Sequence, residues 1–211
     1  MNIQLLLIAK APVPGRVKTR LCPPCTPPQA AAIADAALRD TIDVLSAAPA
    51  IGRTAVLSGQ YRMPAGWCVV AQRGRGLDER LANGFHDTAR ARTASVLVGM
   101  DTPQLTTALL DAASEALDSA DAVLGPADDG GWWCLGLRRP ADARVLCGVP
   151  MSTPYTGRAT ADALRRHGLR VVTLPALRDV DTAEDAYAVA ADRPHGRFAA
   201  AVRDHLPGAA R

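Results

Sequence analysis

Residues 3–9, Ile-Gln-Leu-Leu-Leu-Ile-Ala, form a nearly continuous apolar run that ends at a loop containing Pro12, Pro14 and Gly15. A strand that stays apolar on successive residues has both faces covered, so this run predicts a central strand of a parallel sheet with helices on either side. Thr26 followed by Pro27 marks a helix start, and Ile33, Ala37, Leu38, Ile42 and Leu45 recur behind it at helical spacing. The cycle repeats. Strands are predicted over 54–59, 68–72 and 95–100, and helices over 77–91 and 104–118, the first with Leu77, Leu81 and Phe85 on one face.

Two further strand candidates, 122–126 and 132–137, flank a glycine-rich loop, and beyond them lie a helix near 158–167, a strand over 170–174 and helices near 182–191 and 196–205. Strands alternating with helices predict a doubly wound, Rossmann-like α/β fold: a mostly parallel mixed sheet flanked by helices. No linker or internal repeat divides the 211 residues, a length that one core can fill. The expectation is a single domain over 1–211, with its core at about 3–190 and a C-terminal helix at 195–206.

A net charge of +3, with arginines scattered along the chain and few aromatics, argues against a nucleic-acid partner. No apolar run is long enough to span a bilayer, and the opening run reads as a strand, not as a signal peptide. Five cysteines without framework spacing point to a reducing cytoplasm. Cys22 and Cys25 form a CPPC, but a zinc site would need two more ligands, which leaves a proline-stiffened loop as the simpler reading.

In such sheets ligands bind beyond the carboxyl ends of the strands, so four loops carry the functional argument. The first runs from Lys10 to Arg20 and matches neither the P-loop nor the dinucleotide fingerprint. Only two of the chain's 24 basic residues are lysines, and both, Lys10 and Lys18, fall in this loop beside Arg16 and Arg20. Indifferent placement would do this about one time in fifty, which points to a site that selects a compact ammonium, with phosphate oxygens as the natural target and a solvated turn in an arginine-rich chain as the plainer alternative. The second loop begins at Asp101-Thr102-Pro103, where a carboxylate could hold Mg²⁺ or cap the next helix.

The third loop, Asp128-Asp129-Gly130-Gly131, pairs acids that can accept hydrogen bonds from a ligand with glycines that permit close approach, although a plain hairpin uses the same residues. The fourth, Asp179-Val180-Asp181-Thr182-Ala183-Glu184, offers Asp181 and Glu184 either as a capping box or as metal ligands.

Taken together, KAPVPGRVKTRL, VGMDTP, GPADDGGWW and DVDTAED resemble the nucleotide-diphospho-sugar transferase superfamily with its GT-A fold, and more closely the rSAM/selenodomain-associated transferase 1 family. The resemblance covers residues 3 to about 190. It implies a nucleotide-binding loop made of Lys10, Pro14, Gly15, Arg16, Lys18, Thr19 and Arg20, and a metal facing Asp101. GT-A glycosyltransferases usually carry Asp-x-Asp at that strand end, whereas this chain has Pro103 at the third position.

A single aspartate there, with a later acid at Asp181, is more similar to nucleotidyltransferases such as 2-phospho-L-lactate guanylyltransferase, whose first loop shares the Lys-x-Arg-Leu of residues 18–21. The resulting expectation is nucleotidyl transfer from a nucleoside triphosphate to a phosphorylated acceptor, with release of pyrophosphate. Lys18 and Arg20 would hold the pyrophosphate; Asp101, Asp181 and Glu184 would hold Mg²⁺ or Mn²⁺; Asp128, Asp129, Gly130 and Gly131 would hold the acceptor. Glycosyl transfer from a nucleotide sugar is the alternative, and a non-catalytic nucleotide-binding module the third reading.

Overall fold

A computed structural model describes residues 1–206 and 208. Seven strands form one sheet in the order β3-β2-β1-β4-β6-β5-β7. They are β1 (Asn2–Lys10), β2 (Gly52–Ser58), β3 (Trp67–Ala71), β4 (Thr93–Val98), β5 (Ala122–Pro126), β6 (Trp132–Leu137) and β7 (Val171–Thr173). Six run in one direction, and β6 lies antiparallel between β4 and β5 because the loop 127–131 is too short for a crossover and folds as a hairpin. Six helices cover the faces: α1 (Pro27–Ala47), α2 (Leu77–Thr88), α3 (Thr107–Ser119), α4 (Thr156–Arg166), α5 (Ala183–Asp192) and α6 (Arg197–His205). The architecture is the single-domain α/β fold with a mostly parallel mixed sheet expected from the strand–helix alternation.

Alternation within β1 shows why its apolar run is continuous. Leu5, Leu7 and Ala9 pack in one core with Leu38 and Leu45 of α1 and Leu110 of α3, while Leu6 points the other way into a second core with Phe85 of α2 and Leu164 of α4. A third cluster joins Ile33 and Ala37 of α1 to Val189 of α5 and Phe198 of α6. Asp40 of α1 fastens that cluster by accepting a 2.9 Å hydrogen bond from the Phe198 amide at the start of α6.

Three local expectations are corrected. Leu77 is 42% exposed, because α2 begins there and meets the sheet only from Leu81 and Phe85 onward; the helix also ends at Thr88, short of residue 91. Helix α3 begins at Thr107, with Thr106 as the cap that accepts from the Leu109 amide, so Asp101 does not cap it. Helix α5 is capped by Thr182 with Asp185 as its box partner, one residue beyond the expected Asp181 and Glu184. A hydroxyl cap suffices there, which releases Asp181 for other contacts. Sequence periodicity also misses two short 3-10 segments, Thr19–Leu21 and Pro140–Leu146. Among the described residues no helix is long and apolar enough to cross a membrane.

Candidate functional site

Parallel strands bring their carboxyl ends to one edge of the sheet, and the loops that follow β1, β4, β5 and β7 meet there. Backbone hydrogen bonds fasten them together. The Val180 amide donates to the Asp101 carbonyl at 2.9 Å, and the Asp128 amide donates to the Leu177 carbonyl at 3.0 Å. Gln104 adds a side-chain bond to the Arg178 carbonyl at 2.5 Å. Trp133, fully buried, donates from Nε1 to the Pro175 carbonyl at 3.1 Å and packs against Gly125, where a Cβ would sit 2.4 Å from its ring.

Lys18 is the centre of this edge. Its backbone is left-handed, with φ 47° and ψ 40°, and its side chain, only 6% exposed, turns inward from the first loop. The ammonium donates to the Asp101 carboxylate, to the Val180 carbonyl and, at 3.3 Å, to Asp181. Burial alone would make its proton easier to lose, but Asp101, Asp179 and Asp181 outweigh that, and its pKa rises above the ordinary lysine value. Arg20, 72% exposed, reaches the other oxygen of Asp181 at 2.5 Å.

Around this cation the acids converge. Carboxylate oxygens of Asp129, Asp179 and Asp181 all lie within 4.8 Å of one another. Burial, and then the neighbouring Asp101, push the Asp179 carboxyl well above the usual carboxylate range; Lys18 opposes this shift only in part. Asp129 is held by a 2.8 Å bond from the Gly131 amide. Gly130 has φ +87°, and a Cβ there would fall 1.9 Å from the Pro154 carbonyl oxygen, so the loop lies against the segment before α4. The Gly157 amide of α4 donates to the Gly130 carbonyl at 2.8 Å.

The residues singled out from sequence separate into groups. Lys18, Arg20, Asp101, Asp129 and Asp181 are brought together. Lys10 and Arg16 are exposed and make no ion pair among the described residues, and Pro14, Gly15 and Thr19 are exposed beside them. Asp128 turns to Arg178, 3.9 Å away, which in turn approaches Asp185 at 3.4 Å. Glu184 is exposed on α5 and is not one of the three acids that converge.

Asp179 was missed as a site residue. The signal was present in Asp179-Val180-Asp181: in an extended segment alternate residues share a side, and the apolar Val180, 1% exposed, takes the interior. Three carboxylates with oxygen-only donors, one of them held against its charged form by burial, fit a hard divalent cation such as Mg²⁺ or Mn²⁺. Cys22 and Cys25 are both free thiols, Cys25 buried and donating to the His205 carbonyl at 3.6 Å.

The profile of the family described as "Uncharacterized protein conserved in bacteria (DUF2064)" matches residues 32–153, which include Asp101 and the loop 127–131. No curated protein matches the sequence. Among solved structures, a protein of Desulfovibrio desulfuricans G20 provisionally assigned as a nucleotide-diphospho-sugar transferase is 26% identical with a TM-score of 0.84, over 97% of this chain and 95% of that one. Rv0371c of Mycobacterium tuberculosis H37Rv, in complex with manganese, is 20% identical with a TM-score of 0.59, over 90% and 97%. CMP:2-keto-3-deoxy-manno-octonic acid synthetase in complex with CTP is 11% identical with a TM-score of 0.57, over 92% and 99%.

Proposed function

Given that the chain belongs to the DUF2064 family, we propose that it is a metal-dependent nucleotidyltransferase that acts on a nucleoside triphosphate and a phosphorylated small molecule. The observation that carries this reading is the presence, at one sheet edge, of exposed cations that make no ion pair among the described residues, Lys10 and Arg16, together with the acids Asp101, Asp129, Asp179 and Asp181. Cations of this kind suit β- and γ-phosphates, and the acids would hold a divalent ion that offsets phosphate charge. Two further points support it: a protein of the same fold is complexed with CTP, and another with manganese.

In the reaction an oxygen of the acceptor phosphate attacks the α-phosphorus, a new P–O bond forms, and the bond to the bridging oxygen breaks as pyrophosphate leaves with the electron pair. The acceptor is already ionised, so no side chain need remove a proton; the residues must align the reactants and offset charge. Lys10, Arg16 and Arg20 stabilise the leaving pyrophosphate. Asp129, Asp179 and Asp181 would hold the metal, with Asp101 beside them, and the ion would supply neutralisation of phosphate charge. The hairpin Asp128–Gly131, fixed against α4, faces the acceptor.

Glycosyl transfer from a nucleotide sugar is the second reading, favoured by the 26% identity to the provisional nucleotide-diphospho-sugar transferase. Equilibrium binding with Mg²⁺ separates the two. Nucleotidyl transfer requires at least one triphosphate to bind more tightly than its diphosphate, by about 1 kcal/mol or more for the added charge-assisted contacts, and pyrophosphate to appear with the right acceptor. Preference for a nucleotide sugar over every triphosphate, with a nucleoside diphosphate as product, would make the second reading correct.

A further inference from the structure

An ammonium has three N–H donors, and in Lys18 all three are occupied, by the Asp101 carboxylate, the Val180 carbonyl and Asp181. With its side chain 6% exposed, Lys18 has no donor left for a phosphate while these contacts stand. It therefore differs from Lys10 and Arg16 of the same loop, which are exposed and without ion pairs among the described residues. Its partner Asp181 is also one of the three acids whose oxygens cluster within 4.8 Å. A positive charge held against a carboxylate lowers what that carboxylate can give to a second cation.

We propose that Lys18 is the resident counter-cation of the acid cluster, and that its ammonium and a divalent metal ion compete for the charge of the same carboxylates. Lys18 is then a positioning residue that holds Asp101 and Asp181 together when no metal is bound. This rests on the metal-binding part of the function proposed above, but not on which reaction follows. Two opposed effects are expected on replacing Lys18 with the nearly isosteric, neutral methionine: the metal-free protein loses stability, because the acids repel one another uncompensated, and metal affinity rises. A merely structural lysine would give the first effect without the second.

The test is calorimetric titration of the full chain with Mn²⁺ alone, free of nucleotide and acceptor, on the parent, Lys18→Met and Arg20→Gln, with melting curves at each metal concentration. Lys18→Met should bind Mn²⁺ about tenfold more tightly than the parent, or better, and gain more in melting temperature from the metal. Arg20→Gln should tighten binding less, since Arg20 is 72% exposed and its charge is already solvated. If Lys18→Met does not fold without metal, refolding in Mn²⁺ decides: recovery of the native state supports competition, and failure to recover overturns it. Equal or weaker Mn²⁺ binding by Lys18→Met, or absence of binding in both parent and variant, would also overturn it. The nucleotidyl-transfer reading fails on a different measurement, the identity of the released product.

Discussion

The loop after β1 and the loop after β5 face the same site but are built in opposite ways. In the first, Gly15 has φ +74° with nothing within 4 Å of where a Cβ would lie, and Lys10 and Arg16 stand in solvent without ion pairs among the described residues. In the second, Gly130 has φ +87° and is walled by the Pro154 carbonyl, while Ala127 and Gly131, and Gly157 and Gly130, are hydrogen-bonded at 3.1 and 2.8 Å. One side is open and cationic, the other closely packed and acidic. Such a division suits a flexible, highly charged polyphosphate meeting a metal site that must be preorganised. Lys18 is the exception among the cations of its loop, since it belongs by burial to the acidic side.

The comparison would break first at Gly130. Gly130→Ala must move a backbone carbonyl as well as adopt a left-handed φ, and should cost about 3 kcal/mol or more, a fall of roughly 6–12 °C in melting temperature for a domain of this size. Thermal melting that stays within 2 °C or so of the parent would mean the hairpin is not held against α4. Next in size is the contrast between the two lysines. Lys18→Arg introduces a planar guanidinium where an ammonium fills a buried three-acceptor site and should cost about 2 kcal/mol, whereas Lys10→Arg should stay within about 0.5 kcal/mol. Denaturant unfolding of both variants checks this, and equal losses would remove the distinction.

Much of this fold was legible because its strands and helices carry clean periodicity. The both-face burial of β1 followed from an unbroken apolar run, and the hairpin from Asp129-Gly130 between two apolar segments. Helix starts were less legible at Thr106 and Thr182. Both follow an acid that could itself have capped, and only the tertiary contact shows which side chain turns to the helix: the Asp101 and Asp181 carboxylates turn to Lys18 instead. The clustering of both lysines singled out this loop for attention. It could not tell Lys18 from Lys10, because the difference lies in a left-handed backbone at Lys18 and in acids far along the chain. Asp179 stayed hidden for a similar reason: Asp101 and Asp129, whose charges add to burial in raising its pKa, arrive from other loops.

The open side of the comparison is sharpened by removing charge without touching packing. Lys10→Ala combined with Arg16→Ala should leave stability within about 0.5 kcal/mol, since both side chains are exposed and without ion pairs among the described residues. Affinity for a nucleoside triphosphate in Mg²⁺ should fall by about tenfold, or about 1.4 kcal/mol, and its dependence on salt should weaken as two phosphate contacts are lost. Unchanged triphosphate affinity across a salt series would exclude these two cations from the phosphate site.

The smallest effect is expected at Gly15, and it tests whether the cationic loop is as open as its surroundings imply. Alanine at φ +74° carries the steric cost of the left-handed region, about 1–2 kcal/mol, but meets no neighbour, and the substitution recovers part of that cost by restricting the unfolded chain. A net loss of about 1 kcal/mol is the expected result, well below that at Gly130, although the two glycines share nearly the same φ. The difference between the two variants thus isolates the contact with Pro154 from the shared backbone term. If Gly15→Ala proves as damaging as Gly130→Ala by denaturant unfolding, the first loop is packed in solution and the contrast between the two sides of the site disappears. If instead it is mild in stability yet weakens triphosphate binding, the loop must bend at Gly15 to close on the phosphates, and its openness is functional.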